Sequence, residues 1–507
     1  MKKFLFLLSL VILLHQGHSV LAEYDDDELD LGGLSRDSFP KGFIWGVAAS
    51  AYQVEGMTDK EGRKPCIWDK FITDKPDRIA NYATANVTVD EYHRYKADID
   101  MIEELNFDSY RFSISWSRIF PDGEGRVNWL GVDYYNRLID YMLAKGITPY
   151  ANLYHYDLPQ ALADKYNGWL SKSTVKAYVA YADFCFKMFG DRVKFWFTFN
   201  EPRVAAALGY DNGIHAPGRC SKEYGNCTEG NSGTEPYIVA HHFLLSHAGA
   251  VQRYRQKYQK DQHGKIGILL DFVWYEPLTN SVDDELAAKR ARDFHIGWFL
   301  HPITYGRYPD LVRFLVGDRL PKFSKREEKM VKGSIDLVGI NHYTSYYIYD
   351  SHESSKREVP GYQADWSVGF AYDRDGVPIG PRAYSDWLYI VPWGMYKVVT
   401  YVKENYGNPI ILLSENGMDD PGNVTLPAGL HDTKRLNYYK GYLTELSKAI
   451  KDGANVIGYH AWSILDNFEW LLGYSSRFGI VYVDRKNHLK RYPKMSARWF
   501  QKLLERN

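Results

Sequence analysis

The 507-residue sequence has no apolar run long enough to cross a bilayer, the N-terminal one included. Neither charge is in surplus: 62 Lys and Arg offset 63 Asp and Glu, for a formal net charge of −1. That balance leaves no electrostatic footprint for nucleic acid or an anionic membrane surface. Cysteine is scarce, at four residues, and no internal repeat or low-complexity linker divides the chain. A glycine-rich phosphate loop is also missing. His241, His242 and His247 fall at roughly helical spacing, but no carboxylate or cysteine completes a ligand set with them. Metal and phosphate chemistry are therefore disfavoured, and no metal or organic cofactor is expected.

What is present begins with a targeting pattern. Met1-Lys2-Lys3 precedes an apolar run from Phe4 to Leu14 and then Val20-Leu21-Ala22. This order reads as a secretory signal peptide over residues 1–22, cut after Ala22. Its apolar run is too short for a membrane anchor, and the chain ends Leu504-Glu505-Arg506-Asn507 without a KDEL-type signal. The expected destination is the cell exterior or, by the same route, the vacuole. Acceptor sequons at Asn86, Asn226 and Asn423 agree. Cys220 and Cys227 lie in a Gly/Ser/Asn-rich stretch suited to a small closed loop in an oxidising compartment, whereas Cys66 and Cys185 read as buried free thiols. Four cysteines allow three pairings, and spacing alone leaves the choice open. Residues 23–38 read as a flexible acidic segment ahead of a folded unit at 39–507.

From Phe39 onward eight strand-like runs alternate with helical patterns. They centre on Phe43–Ala48, Ser109–Ser113, Ile147–Leu153, Val193–Phe199, Ile266–Val273, Ile335–Ile340, Ile410–Leu413 and Val456–Tyr459. Amphipathic stretches such as Asp90–Leu105, Ser173–Phe189 and Thr433–Lys451 separate them. Alternation of this kind implies parallel strands joined by right-handed crossovers. Eight units predict a single closed (β/α)8 barrel, with an open doubly wound sheet as the alternative. The excess length falls in two loops, Arg203–Gly264 and Ser345–Asn408, expected to wall the C-terminal mouth.

Nearly every run ends in polar groups: Arg111, His155, Asn200-Glu201, Asn341 with Tyr343, Glu415, and Trp462. In a barrel these ends converge on one mouth. Two of them are glutamates, in Thr198-Phe199-Asn200-Glu201-Pro202 and Leu412-Leu413-Ser414-Glu415-Asn416-Gly417. A carboxylate at the end of a buried strand either pairs with an arginine or takes part in chemistry. A pair of them is what cleavage of a glycosidic bond requires. Aromatic residues make up 16% of the chain, including 14 Trp and 41 Tyr; most must fill core, but flat rings also stack on sugar faces.

With these motifs assembled, the chain resembles glycoside hydrolase family 1, and within it the plant β-glucosidases. The resemblance runs from about Phe39 to the C-terminus. It is carried by Phe43-Ile44-Trp45-Gly46, Tyr52-Gln53-Val54-Glu55-Gly56, Tyr110 to Trp116, Tyr154-His155-Tyr156-Asp157-Leu158-Pro159 and Asn200-Glu201-Pro202. Gly339 to Thr344, Glu415-Asn416-Gly417 and Trp462 to Trp470 complete it. The segment Asn212 to Cys227 looks typical of secreted plant members, and Asp271 to Pro277 looks like the subgroup with mixed β-glucosidase and β-mannosidase activity. His342 and His460 depart from the Tyr and Phe often found there, and Ser414 replaces a common Thr. The His342 ring is expected to point outward, away from the sugar.

The resemblance implies a retaining double displacement on a small-molecule glycoside, with Glu201 as acid/base and Glu415 as nucleophile. Arg111 and Tyr343 should support the ionised form of Glu415, while Glu201, facing another carboxylate, should keep its proton. Their carboxyl groups are expected about 5–5.5 Å apart. Gln53, His155, Asn200, Asn341, Tyr343, Glu469 and Trp470 are expected to hold the terminal sugar over Trp462, with Trp387 as a wall for the leaving group. A transglycosidase would use the same residues. A silent sugar-binding protein would be free to lose the glutamates, and the thioglucoside-cleaving branch carries Gln at the acid/base position. Neither nucleic acid nor membrane is expected as a partner, and monomer and homodimer both stay open.

Overall fold

The computed structural model describes residues 28–351 and 359–506; residues 1–22, expected as a signal peptide, and residues 23–27 of the expected acidic segment lie outside them. Eight strands form the centre: β1 (Ile44–Ala48), β2 (Ser109–Ser113), β3 (Thr148–Asn152), β4 (Phe195–Asn200), β5 (Lys265–Pro277), β6 (Leu337–Asp350), β7 (Ile411–Glu415) and β8 (Val456–Trp462). Each pairs in parallel with its neighbours, and β8 returns to β1 in the register Ile44↔Gly458 to Ala48↔Trp462, closing the ring. The closed (β/α)8 barrel therefore holds over the open sheet. A helix follows every strand: α1 (Glu91–Glu104), α2 (Trp129–Ala144), α3 (Lys172–Phe189), α4 (Glu235–Lys257), α5 (Val282–His295), α6 (Trp393–Asn405), α7 (Thr433–Lys451) and α8 (Met495–Leu503).

Local signals explain these helices. Ser171 and Ser281 cap α3 and α5 by accepting from Ser173 N and Asp284 N. Three acidic residues, Asp283 to Glu285, then suit the positive end of α5. In α7, Leu436, Tyr439, Leu443 and Leu446 recur at three- and four-residue steps and are all buried, one stripe facing the barrel.

Inside the ring, Tyr150, Phe197, Leu269, Leu337 and Leu412 form a dry plug below the mouth. His460 lies above it, edge-on to Tyr150 at 5.0 Å and with Nε2 2.9 Å from Ser109 Oγ. Gly46 is there because a Cβ would meet the His460 ring at 2.3 Å.

Two strands outrun their apolar segments. β5 and β6 stay paired past the barrel rim, from Trp274↔Ser345 to Pro277↔Ile348, and the β6 end adds an antiparallel partner at Val368–Ala371. Each strand supplies the other's hydrogen bonds, so ladder continuity rather than hydrophobic pattern sets their length. The strands bearing the two glutamates both lose regular register just before them, β4 between Phe197 and Asn200 and β7 between Leu413 and Glu415. Such irregularities re-aim a side chain.

The plug makes a direct test of this packing. Phe197→Ala should destabilise the protein by about 3–5 kcal/mol, read as a lowered urea midpoint. An unchanged midpoint would mean the plug is not close-packed.

Candidate active site

Glu201 follows β4 with φ 42° and ψ 58°, and its N–H donates to Leu269 O at 2.9 Å. Left-handed backbone is uncommon for glutamate and costs about 1–3 kcal/mol unless the surroundings hold it. Pro202 then opens a short helix to Tyr210, where its missing N–H costs nothing. Tyr156 (φ 69°) and Trp470 (φ 50°) share this backbone region.

Across the mouth, Glu415 ends β7. Arg111 Nη2 donates to its Oε1 at 2.5 Å and Tyr343 Oη to its Oε2 at 2.6 Å. Glu201 takes its bonds from neutral groups: the Tyr156 hydroxyl on Oε2 and Asn341 Nδ2 on Oε1 at 2.9 Å. One amide network joins the two carboxyls. Asn200 Oδ1 accepts from Asn341 Nδ2 at 3.0 Å and Arg111 Nη1 at 3.3 Å, while Ser414 Oγ donates to Asn341 Oδ1 at 2.6 Å.

Burial raises the Glu201 pKa most; the charges of Glu415 and then Asp271 add to it, and the Tyr156 and Asn341 bonds only partly oppose them, leaving it at about 8. Burial raises Glu415 as well. Arg111 and Tyr343 oppose that shift without reversing it, so the expected support for the ionised form is present but smaller than the cost of desolvation.

The remaining expected residues gather around this pair. Gln53 is buried, with Nε2 donating to Phe468 O at 3.0 Å, Asn467 Oδ1 at 3.1 Å and Glu469 Oε2 at 3.4 Å, and Oε1 accepting from Ser50 Oγ at 2.7 Å. The His155 ring is near-parallel to Trp462 at 5.8 Å and to Trp470 at 6.0 Å. Burial, reinforced by Arg111, pushes its pKa well down and keeps it neutral. Glu469 is partly buried; burial and the charges of Asp419, Glu415 and Glu201 raise its pKa well above the usual range. Trp387 is 45% exposed and edge-on to Tyr343 at 5.8 Å.

The His342 ring is fully buried with Nδ1 2.9 Å from Phe272 O and lies near Tyr442 of α7, outside the ring of strands. It does point outward. His241, His242 and His247 each have a separate partner, Tyr308, Trp169 O and Thr198, and form no common site. Cys220 and Cys227 are disulfide-bonded, and Cys66 and Cys185 are buried free thiols. Tyr156, Ser50, Asn467 and Asp271 were not anticipated as site groups. Tyr156 adjoins His155 in sequence, but only its left-handed backbone explains how its hydroxyl meets Glu201.

The chain matches the family model described as glycosyl hydrolase family 1 over residues 35–507. It is 67% identical to β-glucosidase 44 of Arabidopsis thaliana over 503 residues, 99% of this chain and 98% of that one. It is also 67% identical to β-glucosidase 1 of Oryza sativa subsp. japonica over 473 residues, 93% and 90% of the two chains. The solved structure of a rice β-glucosidase mutant in a covalent complex with Glc aligns at TM-score 0.92 and 50% identity, covering 94% of this chain and 100% of that one. Barrel, family model and relatives thus define a glycoside-cleaving enzyme. The chain belongs to glycosyl hydrolase family 1 and is an O-glycosyl hydrolase of the β-glucosidase type.

Because Glu415 raises the Glu201 pKa and Tyr156 lowers it, two variants should move it in opposite directions. Glu415→Gln should lower the pH at which the Glu201 carboxyl ionises, and Tyr156→Phe should raise it. Infrared difference titration of the protonated-carboxyl band reads both; a common direction would contradict the assigned causes.

Proposed function

We propose that this protein is a retaining, exo-acting β-glucosidase that also accepts β-mannosides, releasing one terminal non-reducing sugar by double displacement. Glu415 attacks the anomeric carbon while Glu201 gives its proton to the departing oxygen, forming a glycosyl ester on Glu415 and a free alcohol. Water then gives a proton to Glu201 and attacks the same carbon, regenerating the Glu415 carboxylate and releasing the sugar. The observation that carries this reading is the asymmetry of the pair: Glu415 takes a guanidinium bond, whereas Glu201 is held by neutral donors and ionises only at about 8. A rice relative held in a covalent complex with Glc supports an intermediate of this kind.

Gln53, His155, Asn200, Asn341, Tyr343, Glu469 and Trp470 would bind the sugar hydroxyls over Trp462, and Trp387 would face the leaving group. The N-terminal pattern, the disulfide and the exposed Asn86, Asn226 and Asn423 support a secreted or vacuolar glycoprotein whose (β/α)8 domain spans 39–507, with Leu29 and Leu34 of the preceding segment packed against it.

Matched aryl β-D-glucoside and β-D-mannoside test the reading together with Glu201→Gln and Glu415→Gln. Each variant should lose about 10²–10⁴-fold or more in kcat/KM on the glucoside, and the wild type should turn over both sugars. The β-anomer should appear first by NMR; the α-anomer first would overturn retention. In wild type, kcat/KM should fall as pH rises through about 8, where Glu201 loses the proton it must donate. It should fall again in acid, where Glu415 gains one.

A further inference from the structure

Glu201 is flanked by a charge cluster with no part in the displacement described so far. Asp271 lies on β5 opposite Asn341 of β6, the residue whose amide bonds Glu201. Two residues earlier on β5, Leu269 O receives the Glu201 N–H. Arg203, two positions after Glu201, donates from Nε to Asp271 Oδ2 at 2.6 Å, with Nη2 2.5 Å from the same oxygen. His295 at the end of α5 places Nε2 2.8 Å from that oxygen, and its Nδ1 is 2.6 Å from Tyr275 Oη. The Arg203 and Asp271 side chains are 15% and 11% exposed and His295 only 1%, so these charges are little screened by water. The clamp ties Arg203, just after the strained Glu201 backbone, to β5 and α5.

Resting on the assignment of Glu201 as the acid/base, we propose that Asp271, clamped by Arg203 and His295, is a positioning residue that fixes the place of the Glu201 carboxyl and the charge it senses during cleavage.

The other groups facing Glu201 are Tyr156 beyond β3, Asn341 and Tyr343 on β6, Glu415 on β7 and Glu469 beyond β8. Asp271 differs from the other carboxyls in the direction of its shift. Against the cost of burial, Arg203 and then His295 hold its pKa far below the usual range. Burial, aided by Arg203, lowers the His295 pKa, so the ring meets Asp271 uncharged near neutral pH. A fixed negative charge beside Glu201 makes loss of the Glu201 proton harder. Unlike Glu415, this charge is not consumed when the glycosyl ester forms, so it acts in both half-reactions.

The test uses the full mature protein and phenyl and 2,4-dinitrophenyl β-D-glucosides, whose leaving groups need acid assistance strongly and hardly at all. Asp271→Asn keeps the shape and removes the charge. The alkaline limb of kcat/KM should move down by about one pH unit, and phenyl glucoside turnover should fall roughly tenfold. The dinitrophenyl substrate should stay within roughly twofold, and Asp271→Glu should restore much of the loss. Arg203→Gln unmasks Asp271, so the limb should move up instead. A merely structural clamp would not give opposite shifts. An unmoved limb, shifts of the same sign, or equal losses on both substrates would overturn the proposal. If Asp271→Asn does not fold, the Arg203→Gln limb decides alone: an upward move supports the proposal and any other result overturns it. Glu201→Gly with azide checks the underlying assignment separately. A β-glucosyl azide product from the dinitrophenyl substrate upholds Glu201 as acid/base whatever Asp271 does, and its absence removes both.

Discussion

Arg111 sits fully buried on the inner wall of the barrel, its guanidinium against Glu415, Asn200 and the face of Trp462, 5.5 Å from the ring centroid. An unpaired cation in such a place would cost several kcal/mol, so Glu415 and the amide network are as necessary to Arg111 as it is to them. The same charge adds to burial in keeping His155 neutral. With one cation supporting one carboxylate, the second carboxyl in the cleft is left to resolve its burial by holding a proton. The division of labour proposed for Glu415 and Glu201 rests on that shortage of positive charge.

Geometry reinforces the electrostatics. Register breaks in β4 and β7 turn strand-end side chains toward the mouth, and the left-handed conformations of Tyr156, Glu201 and Trp470 complete the turn. The departure at Glu201 is held from outside, by the Leu269 carbonyl, the Asn341 amide and the Arg203–Asp271 pair. Rigid strands supply position, and the irregular residues supply direction.

Much of this was legible in the sequence because strand ends in a barrel must converge. Ser109–Ser113 reads as a strand and is one, and Glu201 and Glu415 each follow an apolar run that fixes where they emerge. Spacing along the chain does not encode which partners meet across it. Arg203 lies two residues from Glu201 yet commits to Asp271, 68 positions away. Nor does a motif give the balance of opposing effects: Arg111 beside Glu415 was foreseeable, but not that burial outweighs it. The lengths of β5 and β6 were hidden for another reason, since their outer halves are held by each other and not by the core.

Trp387 stands at the entrance with its ring edge against Tyr343, and Tyr343 holds Glu415 by its hydroxyl. Only one aromatic ring therefore separates the solvent-facing Trp387 from Glu415, the proposed nucleophile. On the proposed roles, a leaving group that leaned on Trp387 would lean, through Tyr343, on Glu415. Selection among leaving groups and alignment of Glu415 would then share one lever, so reshaping the entrance for a new substrate would also retune the reaction behind it.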